Sequence, residues 1–181
     1  MKNILLGVTG SIAAYKACEL VSIFRKKGMS VRCALSGDAE KFVTALTFET
    51  LTGKKAAKDL FALPDTRSPE HISLAEEADI VLIAPATADI IGKIASGICD
   101  DVLTCAVCAS SSPVVIAPAM NDNMYRNPVL GDKIQYLRSK GYHFVDPVEG
   151  NLACGRKGIG HLAPLEEIVK KTEEVLAATC S

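Results

Sequence analysis

The sequence contains no tryptophan, only three histidines and no long uninterrupted apolar segment. Because a membrane-spanning helix needs about 20 mostly apolar residues in a row, none is expected. The 20 basic and 21 acidic residues nearly cancel, so the chain lacks the charge typical of nucleic-acid-binding proteins. The seven cysteines are scattered, and no histidine, cysteine or acidic cluster has metal-ligand spacing. We therefore expect reduced thiols in a cytoplasmic protein with no nucleic acid, membrane or metal partner.

Apolar strands alternate with helical segments along all 181 residues. Strands are predicted at 4–8, 30–35, 79–84, 113–117 and 142–145. Helices are predicted at 12–27, 39–46, 47–52, 71–78, 87–96, 101–109, 127–140 and 164–178, with an irregular loop at 53–70. This alternation predicts an α/β fold, a Rossmann-like three-layer sandwich whose parallel sheet is covered by helices on both faces. We expect a single domain over residues 1–181.

The first predicted strand leads into Gly10 and Ser11, where the first helix begins. A glycine allows a ligand to approach the backbone closely, and the N–H groups of a helix N-terminus favour phosphate. Ser11 is equally compatible with a plain helix cap. The segment matches neither the G-x-G-x-x-G pattern nor a P-loop, so an NAD-dependent dehydrogenase is disfavoured.

Other strand ends carry small or polar residues. Ser36 follows the second strand, and Thr87 and Ala88 follow the third. Ser36 and Thr87 are candidate ligand contacts that also suit helix caps. Asn121 follows the fourth strand, where its amide can both donate and accept hydrogen bonds. Ligands of open α/β sheets bind at the carboxyl ends of the strands, so these residues mark the expected binding edge.

Two further residues have suitable acid–base chemistry. His71 lies at a boundary between loop and helix, and the ordinary pKa of imidazole suits proton transfer near neutral pH. A lone histidine is nevertheless more often structural. Cys154 lies in a glycine-rich segment beside Arg156, whose charge favours the thiolate. That segment is compatible with a flap over a ligand and with an ordinary basic turn.

Taken together, these segments resemble the homo-oligomeric flavin-containing cysteine decarboxylases, in particular the phosphopantothenoylcysteine decarboxylases. The resemblance covers nearly the whole chain. Its motifs are Gly10-Ser11-Ile12-Ala13, His71, Pro85-Ala86-Thr87-Ala88, Gly92-Lys93-Ile94-Ala95, Pro118-Ala119-Met120-Asn121 with Met124, and Ala153-Cys154-Gly155. It implies a flavodoxin-like fold that binds FMN and forms a homo-oligomer, a trimer or a dodecamer, with sites at subunit boundaries.

The resemblance also implies a reaction in coenzyme A biosynthesis, the decarboxylation of 4′-phospho-N-pantothenoylcysteine to 4′-phosphopantetheine. The thiol is oxidised to a thioaldehyde, CO2 leaves, and the resulting enethiol is reduced again. By motif match, His71 is the base, Asn121 orients the carboxylate and Cys154 supplies a proton. The implied FMN contacts are Gly10, Ser11, Ile12, Ser36, Thr87, Ala88 and Ala119. The implied substrate contacts are Asn121, Met124, Asn151, Leu152 and Ala153.

Asp89 and Asp101 stand where the resembled family often has asparagine. A carboxylate cannot donate the hydrogen bonds of an amide, so flavin contacts at these positions are expected to differ.

Three related functions stay open: a peptidyl-cysteine decarboxylase, a flavin prenyltransferase and a non-catalytic regulatory flavoprotein. Cys154 argues against the first, and the pair of His71 and Asn121 against the second. Retention of all three residues disfavours the third. The chain is expected to be either a stand-alone enzyme or the N-terminal half of a fusion with a synthetase.

Overall fold

The computed structural model describes residues 1–62, 68–151 and 157–179. The strands of the main sheet are β1 (Asn3–Val8), β2 (Ser30–Leu35), β3 (Ile80–Ala86), β4 (Val114–Pro118) and β5 (His143–Phe144). All are parallel, in the order β2-β1-β3-β4-β5. The chain therefore leaves β1 toward one edge of the sheet and returns through β3 on the other side. This reversal confirms the predicted flavodoxin-like α/β class.

Helices cover both faces of the sheet. They are α1 (Ala14–Lys26), α2 (Ala45–Thr52), α3 (Glu70–Glu77), α4 (Ala88–Ser96), α5 (Val102–Ala109), α6 (Asp122–Tyr125), α7 (Pro128–Ser139) and α8 (Leu165–Ala178). Neighbouring residues of a strand point to opposite faces, so Leu6 packs with α1, α2 and α8 while Leu5 packs with α3, α4, α5 and α7. Among the described helices, none combines the length and the apolar character that a bilayer crossing demands.

A second, two-stranded sheet stands apart from the main one. It pairs β6 (Val148–Asn151) antiparallel with β7 (Lys157–His161). The sequence analysis did not predict this hairpin, because its glycine-rich strands lack the alternation of apolar and polar residues by which strands are found. It also missed the single-turn helix α6.

Two predicted boundaries were wrong. The predicted helix 39–46 is a short 3-10 helix (Ala39–Lys41) followed by an interruption, because Thr44 has an extended backbone before α2 begins. The third strand continues beyond residue 84 through Pro85 to Ala86. The register between β3 and β4 shifts at this point, and such an irregularity accommodates a proline, which has no N–H to donate. The other predicted strands and helices are confirmed to within about two residues, the usual uncertainty of element ends.

Candidate functional site

A cavity of about 510 Å³ opens at the carboxyl edge of the main sheet, where β1 and β3 lie side by side. In sheets of this strand order, that reversal point is where ligands bind. The volume lies within the range of small-molecule sites, about 300–1,000 Å³. The lining residues are Gly10, Ser11, Ile12, Ala13, Tyr15, Lys16, Thr87, Ala88, Ala119, Met120, Asn121, Met124, Gly160, His161 and Leu162.

The turn between β1 and α1 forms one wall of the cavity. A Cβ atom at Gly10 would lie 2.5 Å from the Cβ of Asp38, so only glycine lets this turn pack against the turn after β2. Helix α1 begins after Ala13, and Ser11 caps its start: Ser11 Oγ accepts from the Ala13 amide at 3.3 Å and the Ser11 carbonyl from the Ala14 amide at 2.9 Å. The positive end of the helix dipole still favours an anion here. This wall is therefore suited to a phosphate group.

Buried Thr9 joins this turn to the end of β3. Its Oγ1 donates a 2.7 Å hydrogen bond to the carbonyl oxygen of Pro85 and accepts a 3.1 Å bond from the amide of Thr87. Thr87 in turn caps α4, accepting from the amide of Ile90 at 3.4 Å. Thr87 is thus confirmed as a helix cap, and because it also lines the cavity, its predicted contact with a ligand stays a prediction. The Thr9 bonds fix the spacing between the two loops that flank the cavity.

Asn121 ends the loop after β4 and caps the short helix α6. Its Oδ1 accepts a 2.9 Å hydrogen bond from the amide of Asn123. This bond holds the carboxamide at the mouth of the cavity, which it lines together with half-exposed Met124 one turn later. An amide placed in this way can bind a carboxylate.

The hairpin lies directly against the Asn121 loop. The amide of Met120 donates a 3.0 Å hydrogen bond to the carbonyl oxygen of Gly160. Gly160 has φ +141°, and a Cβ atom there would overlap the Met120 carbonyl oxygen. A Cβ atom at Gly158 would lie 2.8 Å from that of Asp122. Glycine at both positions therefore allows β7 to pack backbone to backbone against this loop.

Lys16 and His161 form a basic pair on the cavity wall. Lys16 Nζ lies 3.0 Å from His161 Nε2. Because an ammonium group only donates, Nε2 is the acceptor and the imidazole is neutral in this arrangement. Burial, and next the positive charge of Lys16, lower the pKa of His161 below its ordinary value. The sequence analysis gave neither residue a role.

The structure brings most of the predicted site residues together. The predicted residues that line the cavity are Gly10, Ser11, Ile12, Thr87, Ala88, Ala119, Asn121 and Met124. Ser36 is not among the lining residues; its amide donates to the Val8 carbonyl at the neighbouring strand end. Leu152, Ala153 and Cys154 lie outside the described residues. Asn151 ends β6, directly before them.

His71 is not brought to this cavity within one chain. It lies in the first turn of α3, a helix that packs on the face of the sheet opposite α1. Its Nδ1 is buried and has no hydrogen-bond partner in the described part of the chain. Buried polar atoms are normally satisfied, so this nitrogen is an exception within the described part of the chain.

Asp89 and Asp101, which stand where the resembled family often has asparagine, make local contacts: one forms an ion pair and the other caps a helix. Asp101 caps α5: its Oδ1 accepts from the Thr104 amide at 2.7 Å, and its own amide donates to Thr104 Oγ1 at 3.1 Å. Asp89 lies 3.4 Å from Lys93, which also pairs with Asp100 at 3.0 Å. Neither aspartate lines the cavity.

Helical spacing could have indicated one of the missed residues. Lys16 follows Ile12 by four positions, which in the predicted helix 12–27 places both on one face. His161 carried no such indication, since its position depends on a strand pairing between distant glycine-rich segments. Within the described ranges, no group of histidine, cysteine and acidic side chains could hold a metal ion.

The strand order and the cavity at its reversal point define an open α/β protein with a site for a small ligand at the carboxyl edge of its sheet. The model of the Flavoprotein family matches residues 1–177, and the chain belongs to this family.

Curated relatives match almost the whole chain. The coenzyme A biosynthesis bifunctional protein CoaBC of Bacillus subtilis is 43% identical over 180 residues, which cover 99% of this chain and 44% of that protein. CoaBC of Vibrio cholerae is 41% identical over 176 residues, covering 97% of this chain and 44% of that protein. The chain thus spans less than half the length of these relatives.

Solved structures share the fold over nearly their full length. A PPC decarboxylase mutant complexed with pantothenoylaminoethenethiol is 29% identical, with a TM-score of 0.84 over 96% of this chain and 97% of that one. The FMN-dependent cysteine decarboxylase SpaF is 28% identical, with a TM-score of 0.85 and 98% of both chains covered.

Proposed function

We propose that residues 1–181 form one FMN-dependent decarboxylase domain that converts 4′-phospho-N-pantothenoylcysteine to 4′-phosphopantetheine in cytoplasmic coenzyme A biosynthesis. The observation that carries this proposal is the cavity at the β1–β3 reversal, where Asn121 and Met124 face a phosphate-favouring helix start. The CoaBC relatives and the PPC decarboxylase structure support the same substrate.

The residues present fit a flavin mononucleotide. Gly10, Ser11 and Ile12 offer backbone close to the start of α1, and Ala88 and Ala119 leave room for a flat ring at the ends of β3 and β4. Ser36 and Thr87 are further proposed contacts for the same cofactor. Bound FMN would supply reversible two-electron oxidation of the thiol-bearing carbon, which no side chain can supply.

The net reaction consumes one proton and releases one CO2 from a cysteine amide. Asn121 holds the carboxylate, so that the bond to the departing CO2 keeps one orientation. Met124 forms an apolar wall beside it. Together they limit rotation of the substrate and the access of water, both of which favour reaction from a single bound geometry.

Proton transfer falls to His71 and Cys154. His71 removes the thiol proton during oxidation, and Cys154 supplies a proton when the enethiol is reduced; solvent then restores the Cys154 proton. Asn151, Leu152 and Ala153 contact the substrate from the same segment as Cys154. The contacts of Gly158 and Gly160 with the Asn121 loop support this assignment, because they anchor the strand that follows that segment.

His71 reaches the cavity from a neighbouring copy in a homo-oligomer, a trimer or a dodecamer. Its place on the opposite face of the sheet, away from the cavity of its own chain, supports this step. Ile12 and Tyr15 at the cavity rim are 60% and 54% exposed. Large apolar side chains exposed beside a site are typical of a surface that a partner covers.

The test is turnover by the purified protein. The protein with added FMN should release CO2 from 4′-phospho-N-pantothenoylcysteine and yield 4′-phosphopantetheine, followed by mass spectrometry. Cys154→Ser should still release CO2 but accumulate the oxidised enethiol. Complete conversion by Cys154→Ser would remove Cys154 from the mechanism, and a wild-type protein without turnover would refute the proposed reaction. A peptide ending in cysteine, offered in parallel, tests the peptidyl-cysteine alternative.

Mixing two inactive variants tests the shared site. His71→Gln and Asn121→Ala should each abolish turnover alone. Co-assembled in equal amounts, they should recover activity in about a quarter of the sites. A site is active only when one copy supplies an intact His71 and its neighbour an intact Asn121, and random assembly gives each condition a chance of about one half. A mixture that stays inactive, although its subunits have exchanged, would place both residues in the site of one chain.

A further inference from the structure

The basic pair of Lys16 and His161 is a feature of the cavity that the proposed mechanism does not use. Lys16 projects from the first turn of α1, and His161 is the last residue of β7. Their side-chain nitrogens lie 3.0 Å apart, and both residues line the cavity. Two segments separated by 145 positions thus bring two basic groups to one point of the wall.

Among the described residues, no acidic group offsets this pair. None of the ion pairs found there includes Lys16 or His161, and within the same ranges Lys16 is the charged group that acts on the His161 imidazole. Strand β6 packs Gly150 against His161: a Cβ atom at Gly150 would lie 3.1 Å from the His161 Cβ. The pair is therefore a positive centre in a cavity, without a counter-ion in the described part of the chain.

Binding of an anion is expected to change the protonation of this pair. Burial and the Lys16 charge lower the pKa of His161, so without an anion beside it the imidazole is mainly neutral near pH 7. A bound dianion favours the imidazolium form, because an opposite charge within about 4–6 Å raises the pKa of a histidine. A phosphate monoester carries nearly two negative charges at neutral pH, which one ammonium and one imidazolium group would balance.

We propose that Lys16 and His161 together bind the phosphate monoester of a ligand and that His161 takes up one proton from solvent as the anion binds. The inference rests on the proposed function for the identity of the ligand, because FMN and the phosphorylated substrate each carry one such group. The start of α1 lies beside Lys16 and adds the positive end of its dipole to the same region.

The experiment compares each ligand with its dephosphorylated form. In the cofactor arm, Kd values of FMN and riboflavin are measured by flavin fluorescence on the flavin-free protein. In the substrate arm, kcat/KM is measured for 4′-phospho-N-pantothenoylcysteine and N-pantothenoylcysteine at saturating FMN. The variants are Lys16→Met, His161→Gln and the charge-preserving Lys16→Arg. His143→Gln is the matched control, because His143 also has its pKa lowered by burial and by a lysine, Lys171, but lies away from the cavity.

In one of the two arms, Lys16→Met should reduce binding of the phosphorylated ligand by about 10- to 100-fold, the range for loss of a charge-assisted hydrogen bond. The loss appears as a higher Kd in the cofactor arm or as a lower kcat/KM in the substrate arm. The dephosphorylated ligand should be unaffected, and Lys16→Arg should keep most of the preference. A selective loss for FMN identifies the cofactor as the ligand, and a selective loss for the substrate identifies the substrate. Equal losses for both forms of each ligand, or no loss in either arm, overturn the inference.

Proton uptake gives an independent measurement. The phosphate preference is the ratio of the affinity, or of kcat/KM, for the phosphorylated ligand to that for its dephosphorylated form. As pH falls from about 8 to about 6, around the ordinary imidazole pKa, this ratio should increase in the wild type and in His143→Gln but not in His161→Gln. Protonation of the phosphate itself affects all three proteins alike, so the difference between them isolates His161. Identical pH profiles would overturn the proton uptake. If the wild type binds FMN without releasing CO2, the proposed reaction fails while the cofactor arm still tests the pair.

Discussion

The Gly160→Ala substitution tests whether the hairpin is held on the Asn121 loop by backbone contact. At φ +141°, Gly160 has a conformation that other residues rarely adopt, and a Cβ atom would overlap the Met120 carbonyl oxygen. Such backbone strain costs about 1–3 kcal/mol. Loss of the hydrogen bond from Met120 to Gly160 costs a further 0.5–1.5 kcal/mol, roughly. We therefore expect a penalty of about 1.5–4.5 kcal/mol against the docked hairpin, adding these two costs.

This penalty falls on local docking rather than on the main sheet, since the hairpin forms a separate two-stranded sheet. A cost of about 1.5–4.5 kcal/mol raises the undocked population by about 10- to 2,000-fold. Hydrogen exchange of the Met120 amide should accelerate by the same factor, because exchange reports such local openings. Decarboxylation should fall with it, while exchange of the β1 and β3 amides should change little.

Gly131→Ala is the matched control. A Cβ atom at Gly131 meets open space within α7, and replacing a helical glycine by alanine is stabilising by about 0.5–1 kcal/mol. This variant should keep wild-type exchange at Met120. If Gly160→Ala leaves the Met120 amide as protected as Gly131→Ala does, the backbone contact does not hold the hairpin and the reasoning is wrong.

Two other substitutions test the parts of the fold that position the site. Thr9→Val keeps the side-chain shape but leaves the Pro85 carbonyl and the Thr87 amide without their buried partner. The free energy of unfolding, measured by urea titration, should therefore fall by about 2–4 kcal/mol. A loss below about 0.5 kcal/mol would contradict the role of these bonds. Asp101→Ala should cost about 1–2 kcal/mol through loss of the α5 cap, whereas Asp101→Asn keeps the acceptor oxygen and should cost less than about 1 kcal/mol, the charge–dipole part alone. Equal losses for the alanine and asparagine variants would show that charge, rather than the hydrogen bond, stabilises α5.

The sequence predicted the main sheet well because its strands are buried on both faces. Segments such as Ile80–Ala86 are almost wholly apolar and lie between helices with clear ends, for example Thr87 and Gly97 around α4. Strand ends in turn predicted the cavity, since residues that follow parallel strands meet at one edge. This is why Gly10, Thr87 and Asn121, far apart in the chain, were predicted at one site.

The rest depended on contacts between distant segments, which no local pattern records. The partnership of Lys16 with His161 exists only because β6 pairs with β7 and glycine lets β7 approach Met120. His71 illustrates the opposite case. Its chemistry suggested a place in the site, yet α3 packs on the other face of the sheet, a fact that follows from tertiary packing and not from the residues around it.

The separation of the hairpin from the five-stranded sheet has an evolutionary consequence. A unit that adds no strand to the central sheet can be lengthened, shortened or exchanged between homologous proteins without rethreading the interior. Chimeras that swap this piece should therefore keep the central sheet intact, so the hairpin and the architecture that carries it can diverge along independent paths.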